Sequence, residues 1–351
     1  MWQIDNRTPF AVGQGWVRDR DGAEVWLVAV KASFEVMPDG SLEVAREQAP
    51  LLRAAQYLGE PGKSSIRCDS DMVLAKTTTD VLVAGHAFAP GGQPVTSLDV
   101  GFRVGSIQKV LRVLGPREWG ALGPTKPELF VSMPLVYERA WGGADVQATD
   151  PGTAWDWRNP VGCGFAVKAS NLHGLPLPNI EWPDRLIRSW DDRPDPAGFG
   201  AICSHWQPRA SYAGTYDDHW MATRQPLLPE DFDARFFQCA PADQQAREFL
   251  VGGEHVMLLN LAPASQMQFR LPVLQFDMQT RFSDGERREH ESPRLHTVLL
   301  EPDFPRVSMV WHSALECHAK VYQLQETRVT VRETNPQDED DEPVDSLLDL
   351  V

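Results

Sequence analysis

Residues 79–114, TDVLVAGHAFAPGGQPVTSLDVGFRVGSIQKVLRVL, decide the fold. Val81, Val83 and Gly85 fall on one face of an extended segment, and Leu82, Ala84, His86 and Phe88 fall on the other. A near-continuous apolar run of this kind predicts a strand buried on both sides. Ala89-Pro90-Gly91-Gly92 stops it. Leu98, Val100, Phe102 and Val104 then alternate with Asp99, Gly101 and Arg103, the period of a strand with one wet face. Gly105-Ser106 makes a turn, Leu111 and Val113 flank Arg112 in a third strand, and Gly115-Pro116 ends the run. The expectation is a three-strand meander.

Working outward, residues 24–36 (EVWLVAVKASFEV) place Trp26, Val28, Val30, Ala32, Phe34 and Val36 on one face, with Lys31, Ser33 and Glu35 on the other. This long strand is expected in the same central sheet as the meander. Pro38-Asp39-Gly40 turns it back toward a hairpin partner at 41–45. Further strands are expected at 255–261, 268–277, 295–300, 307–311 and 320–331. Short helices are expected at 183–190, 229–237 and 241–250, the last from an Ala242, Ala246, Phe249, Leu250 stripe with Asp243 in the first turn and Gly252-Gly253 beyond. Between Trp141 and Trp220, 17 of 80 residues are Gly or Pro and seven are Trp. Disordered segments are poor in aromatics, so this stretch reads as ordered loops packed by rings on Pro and Gly backbone. The fold class is therefore mainly β: antiparallel, sandwich-like or meander sheets with long ordered Gly/Pro/Trp-rich loops and a few short helices. One β-rich domain is expected over 1–335, with 116–250 the place where a subdivision could fall. Residues 336–351 read as a mobile acidic tail, dispensable for folding, ending in a short apolar hook.

The chain has 351 residues, 42% hydrophobic and 23% charged, with 28 Pro and 26 Gly, enough for a substantial core. Net charge is −16. Seven acidic residues beyond Asn335, with no Lys or Arg among them, account for the difference from −9. An acidic body argues against binding nucleic acid through phosphates and against docking on anionic lipid. The five cysteines are widely spaced and form no C-x-x-C, as expected of reduced thiols in a cytoplasmic protein. MWQIDNRTPF lacks the basic and apolar regions of a signal peptide, and no apolar run is long enough to span a bilayer.

Signatures of catalysis are sparse. G-x-S-x-G, H-E-x-x-H and a helix-opening G-x-G-x-x-G are missing. GEPGKSS at 59–65 contains GKS, but Tyr57 stands where a phosphate-binding loop needs its first Gly, so it reads as a turn. His290/His296 and His312/His318 are each six residues apart, about 20 Å along a strand, too far for one ion. Asp69 and Asp71 share a strand face about 7 Å apart, near the spacing of an inverting glycosidase, although such pairs normally come from different elements. Asp191-Asp192 and Asp217-Asp218 read as turn formers. Trp155 and Trp157 could present one aromatic face or pack within the loops. No metal or cofactor is expected.

The punctuated segments YLGEPGKSSIRCDSDM, TDVLVAGHAFAPGG, MPLVYERAWGG, RNPVGCGF, LPNIEWP, PAGFG, HWQPR, AGTYDDHW, LLPEDFD, FFQCAPADQQ and LVGGEHVMLLNL occur in that order. Taken together, over roughly residues 6–300, they resemble the DUF2169 family, encoded beside type VI secretion effector and spike genes in Gram-negative bacteria. The resemblance implies a non-catalytic adaptor or chaperone that holds a cognate secreted toxin effector in the cytoplasm and helps load it onto the spike complex. It carries over no catalytic residues. A surface for one client needs aromatic and Arg anchors, and Arg139, Trp141, Trp155, Trp157 and Arg158 are the expected partner-binding set, with Arg193 and Arg209 nearby. The competing expectation is that the same residues form part of the core. Two other classes stay open: a carbohydrate-binding β-sandwich, which requires exposed coplanar Trp rings, and a hydrolase of unfamiliar type, which requires a pocket with a convergent set such as His86, Asp69 and Asp71.

Overall fold

Glu24–Val36 is the spine of the largest sheet. Ala11–Arg18 and Arg306–Glu316 flank it antiparallel, Arg294–Glu301 follows antiparallel to the latter, and Asp80–Val83 closes the far edge in parallel. Leu42–Val44 turns back on Glu24–Val36 as its hairpin partner. A second sheet runs Ile180–Glu181, Ile107–Leu114, Ser97–Val104, His255–Leu259, Gln266–Arg270, antiparallel throughout. A third has Leu324–Glu333 between Gln3–Asn6, parallel to it, and Leu274–Phe282, with Arg287–Glu289 outermost. These come from a computed structural model that describes residues 2–150 and 152–333, so the acidic stretch at 336–351 lies outside the described residues.

One continuous core joins all three sheets, with Trp26, Val28 and Val30 from the first, Phe102, Val104 and Leu111 from the second, and Phe276, Met278 and Val329 from the third. The mainly β, layered expectation holds. Trp26 is wholly buried, and its indole N–H donates to Thr327 Oγ1 at 3.0 Å, which satisfies the one polar atom that burial would otherwise strand. The opposite face of Glu24–Val36 is covered too. Lys31 is 4% exposed there and pairs with Asp71 at 2.9 Å.

The meander is only partly present. Ser97–Val104 and Ile107–Leu114 do form a hairpin, turned at Gly105 with φ +53°. Asp80–Val83, however, belongs to the six-stranded sheet, and His86–Phe88 leaves it to pair with Ser132–Pro134. The departure is local: Ala84 N–H donates to Leu300 O at 2.9 Å, after which Gly85 abuts Pro302 and Asp303 and the chain turns away. The Glu24–Val36 strand therefore shares a sheet with the first of the expected meander strands and not with the other two. The strand expected over 268–277 is likewise two strands. Pro272, which cannot donate to a ladder, stands where the chain passes from Gln266–Arg270 in one sheet to Leu274–Phe282 in another.

The helices differ most. No α-helix forms over 241–250, where only a 3-10 turn, Ala242–Gln244, is present. Tertiary acceptors take its backbone donors: Ala246 N–H goes to Thr79 O at 2.9 Å and Leu250 N–H to Thr79 Oγ1 at 2.9 Å. Over 183–190 carboxylates do the same, Glu181 accepting from Ile187 N–H and Asp192 from Arg188 and Ser189, each at 2.8 Å. The segment 229–237 ends in a 3-10 turn, Ala234–Phe237. The one α-helix among the described residues, Asp218–Thr223, begins at a pair read as a turn, because Asp217 caps it by accepting from Trp220 N–H at 2.9 Å. Among the described residues no helix is long and apolar enough to cross a membrane.

Candidate functional site: an Arg and aromatic groove

The Gly/Pro-rich loops are ordered by close backbone approach. Trp141–Gly142 pairs with Cys163–Gly164, and the buried Asn159 side chain donates to Tyr137 O at 2.7 Å and Trp141 O at 2.9 Å. Gly142 has φ +143°, and a Cβ there would stand 2.2 Å from Asn159 O. RAWGG and RNPVGCGF are thus two halves of one knot that only glycine permits. PAGFG works similarly, since a Cβ on Gly198 would meet the Tyr137 ring at 2.8 Å while Phe199 packs edge-on to Phe102.

Against this scaffold lies a groove of about 880 Å³. Its buried lining includes Lys109, Tyr137, Arg209 and Ala240; its exposed lining includes Arg185, Asp195, Arg235 and Asp243. Trp182 and Tyr212 supply half-buried aromatic surface. Arg209 ties three segments together, donating to Ile202 O at 2.6 Å and Phe236 O at 2.9 Å and pairing with Asp69 at 2.7 Å. Arg235 lies 4.3 Å over the Tyr212 ring and is held by Asp233. Lys109 stands 4.8 Å over Trp182 and bonds Asp243 and Gln244; burial pulls its ammonium down to about 8, with Asp243 opposing.

The five expected anchors divide. Trp141 is 2% exposed, its indole N–H donating to Asp156 Oδ2 at 3.1 Å, so it is a core residue rather than an accessible anchor. Arg139 is half-buried and bonded to Asn179 at 2.9 Å, bracing the loop. Arg158 lines the groove, bridging Asp156 and Asp195, and burial of Asp156 is outweighed by Arg158 hydrogen bonds that hold its carboxyl below the usual range. Trp157 is 55% exposed and stacks on the half-buried Trp155, centroids 3.9 Å apart and planes tilted 34°. The pair adjoins the groove, because Trp157 O accepts from the N–H of the lining residue Gln207 at 2.9 Å. Arg193 spreads over Trp141 at 5.3 Å and donates to Ala166 O, a packing role. Trp182, Arg185, Tyr212 and Arg235 are not singled out by the sequence. Trp182 stands in the LPNIEWP segment, but the other three carry no spacing that marks them.

Other candidate groups lie apart. Asp69 and Asp71 border a cavity of about 20 Å³, room for a single water, and are engaged by Arg209 and Lys31. His86 is at a separate cleft of about 230 Å³, its Nδ1 2.7 Å from Asp303 Oδ2, so these three do not converge. GEPGKSS is a turn: Ser65 donates through both N–H and Oγ to Glu138, each at 2.7 Å. The histidines pair differently from their sequence spacing. His296 and His312 stack at 4.9 Å across neighbouring strands, and burial pushes His312 down to about 4 and His296 well below the usual value. Among the described residues no group of three His, Cys, Asp or Glu could hold a metal ion, and all five cysteines are free.

No curated protein and no solved structure matches this chain. A family model described as an uncharacterized protein conserved in bacteria (DUF2169) matches residues 21–312, a span that contains Glu24–Val36, the whole five-stranded sheet and the whole groove. The chain belongs to the DUF2169 family of uncharacterized proteins conserved in bacteria.

Proposed function

We propose that this protein is a non-catalytic adaptor that binds a cognate type VI secretion effector in the cytoplasm and promotes its loading onto the spike. The observation that carries the reading is the groove. It gathers Arg158, Arg185 and Arg235 with Trp182 and Tyr212 beside the Trp155–Trp157 pair, and Trp, Tyr and Arg are the residue types in which binding energy concentrates. Its volume suits an extended peptide or the edge of a folded client. Most of its charged groups are engaged by neighbours that fix their positions, which leaves a shaped, preorganised surface. The Trp rings are tilted on one another rather than coplanar, which favours a client protein over a flat sugar ring.

The test is coexpression with the toxin encoded next to the gene, followed by affinity purification and mass spectrometry. Enrichment of that toxin by the wild-type protein, and its loss from variants altered in the groove, is the expected result. Failure of the wild-type protein to retain it would sink the reading.

A further inference from the structure

Ala11–Arg18 is the outer strand of the six-stranded sheet, and the register shows which of its backbone groups are free. Asp19 N–H donates to Ala23 O at 3.0 Å, so that pair is hydrogen-bonded, and so is every second pair along the hairpin from Val17/Val25 to Ala11/Lys31. Val12, Gln14, Trp16 and Arg18 therefore aim their N–H and C=O groups away from Glu24–Val36. Arg53, an exposed residue, donates to Gln14 O at 2.9 Å. Among the described residues nothing else pairs with these outward groups.

Elsewhere the chain closes such edges. Past the last pair of this hairpin, the N–H and C=O of Ser33 are both taken by the Gln48 amide at 2.9 Å. At the opposite edge of the same sheet Gln244 donates to Val81 O, and Val83 N–H reaches Phe199 O. A bare edge is normally blunted by Pro, Lys, a bulge or a covering segment. AVGQGWVR holds neither Pro nor Lys, and its ladder with Glu24–Val36 has no register shift.

A second copy of the same strand is complementary to this edge. With a two-fold axis at Gly15, Val12 stands opposite the partner's Arg18 and Gln14 opposite the partner's Trp16. All four outward residues of each strand then exchange both bonds, about eight in total, against roughly ten in a typical interface. No like charges oppose, because the one charged residue of the strand faces a valine. On one face of the sheet Gly13 and Gly15 leave room for the half-buried Leu51 and Met72, which come up against their counterparts as an apolar seam. On the other face Tyr322, 77% exposed and 6.4 Å from the Trp16 ring, flanks the junction.

We propose that two copies of this chain pair antiparallel through Ala11–Arg18, about a two-fold axis at Gly15, and join their six-stranded sheets into one. Neither this strand nor Leu51, Met72 or Tyr322 lines the groove, so the pairing stands or falls apart from the adaptor reading.

Sedimentation of the full chain from about 1 to about 100 µM should show a shift from one chain mass to two. Gln14→Pro deletes only an outward N–H, which an edge strand tolerates, and should weaken the dimer about tenfold or more. Under mild oxidation Gly15→Cys should be trapped as a disulfide-linked dimer, because the residues facing each other at the axis form a non-hydrogen-bonded pair with Cα atoms about 4.5 Å apart. A Cβ at Gly15 meets only the tip of Met72, at 3.2 Å, and the native cysteines are buried or half-buried. Val17→Cys, about 13 Å from its counterpart, should behave as wild type. A chain that sediments as monomer throughout, a dimer unmoved by folded Gln14→Pro, or equal cross-linking of Gly15→Cys and Val17→Cys would overturn the proposal. Protection of the 12–18 amides by added effector, with the chain still monomeric, would also overturn it and assign the edge to a client strand. The Gly15→Cys arm keeps every backbone donor, so an unfolded Gln14→Pro protein does not blunt the test.

Discussion

Lys109 and Gln244 tie the two largest sheets together. The buried Lys109 ammonium, on a strand of the five-stranded sheet, donates to Gln244 Oε1 at 2.9 Å, and Gln244 Nε2 donates to Val81 O at 2.7 Å on the edge of the six-stranded sheet and to Phe199 O at 2.9 Å. Gln244→Ala would take a donor from Val81 O and leave Lys109 with Asp243 and Phe199 O with Val83 N–H as their remaining partners, so a loss of about 1–3 kcal/mol is expected in urea denaturation. Lys109→Met should cost less, because it also removes a desolvated charge. Equal stability of Gln244→Ala and wild type would show that the bridge carries no weight.

Acid sensitivity follows from the buried imidazoles. Burial holds His290 and His312 near 4, while the unfolded chain titrates near the ordinary value. Below about pH 6.5 the unfolded state binds protons that the folded state refuses, so stability present above that pH is lost as pH falls toward 4. Each ring accounts for roughly 2 kcal/mol by pH 5. His290 bonds Thr280 Oγ1 and Ser313 Oγ, and His290→Gln, which keeps polar atoms there, should flatten the slope by about one ring's share. Denaturant midpoints that do not move between about pH 7 and pH 5 would contradict this.

What the sequence discloses divides by the range of the interactions involved. Glu24–Val36 and the hairpin at Ser97–Leu114 are legible because side-chain alternation is local and the burial it demands is met within the fold. The helix read over 241–250 fails because Thr79, far away in sequence, accepts from Ala246 and Leu250. The site splits the same way. Composition marks the Trp141–Trp220 stretch as ordered and aromatic, and among its expected anchors the structure sets Arg158 in the groove and Trp157 beside it. It cannot distinguish Trp157, left exposed, from Trp141, enclosed by a loop that Asn159 draws over it. Arg185 and Arg235 carry no local pattern and become visible only when three loops meet.

The glycine knot makes its own claim. Gly142→Ala places a methyl 2.2 Å from Asn159 O at a left-handed φ, so backbone must move. The variant should lose about 3 kcal/mol or more and release the amides of 137–143 in exchange measurements. Gly174, also left-handed but with open space within 4 Å of where a methyl would stand, should lose about 1 kcal/mol on the same substitution. Similar costs at both positions would reduce the knot to ordinary backbone strain.

The sharpest separation of anchor from core comes from two tryptophans sixteen residues apart. Trp141 is 2% exposed, bonded to Asp156 and packed on Gly164, so Trp141→Ala should cost about 3–5 kcal/mol and, under the proposed adaptor role, lower effector retention only through unfolding. Trp157 is 55% exposed and meets mainly Trp155, so Trp157→Ala should leave the melting curve within about 1 kcal/mol of wild type. If the groove and its adjoining rings hold the client, the folded Trp157→Ala protein should still bind the neighbouring effector about thirtyfold more weakly, the cost of one anchor truncated to Ala. Arg185→Ala, at a side chain with no close partner to strand, should weaken binding in the same direction without loss of stability. Calorimetric titration of both variants beside their thermal melts decides the matter. Wild-type affinity in both folded variants would move the client surface away from this groove, whatever happens at Trp141.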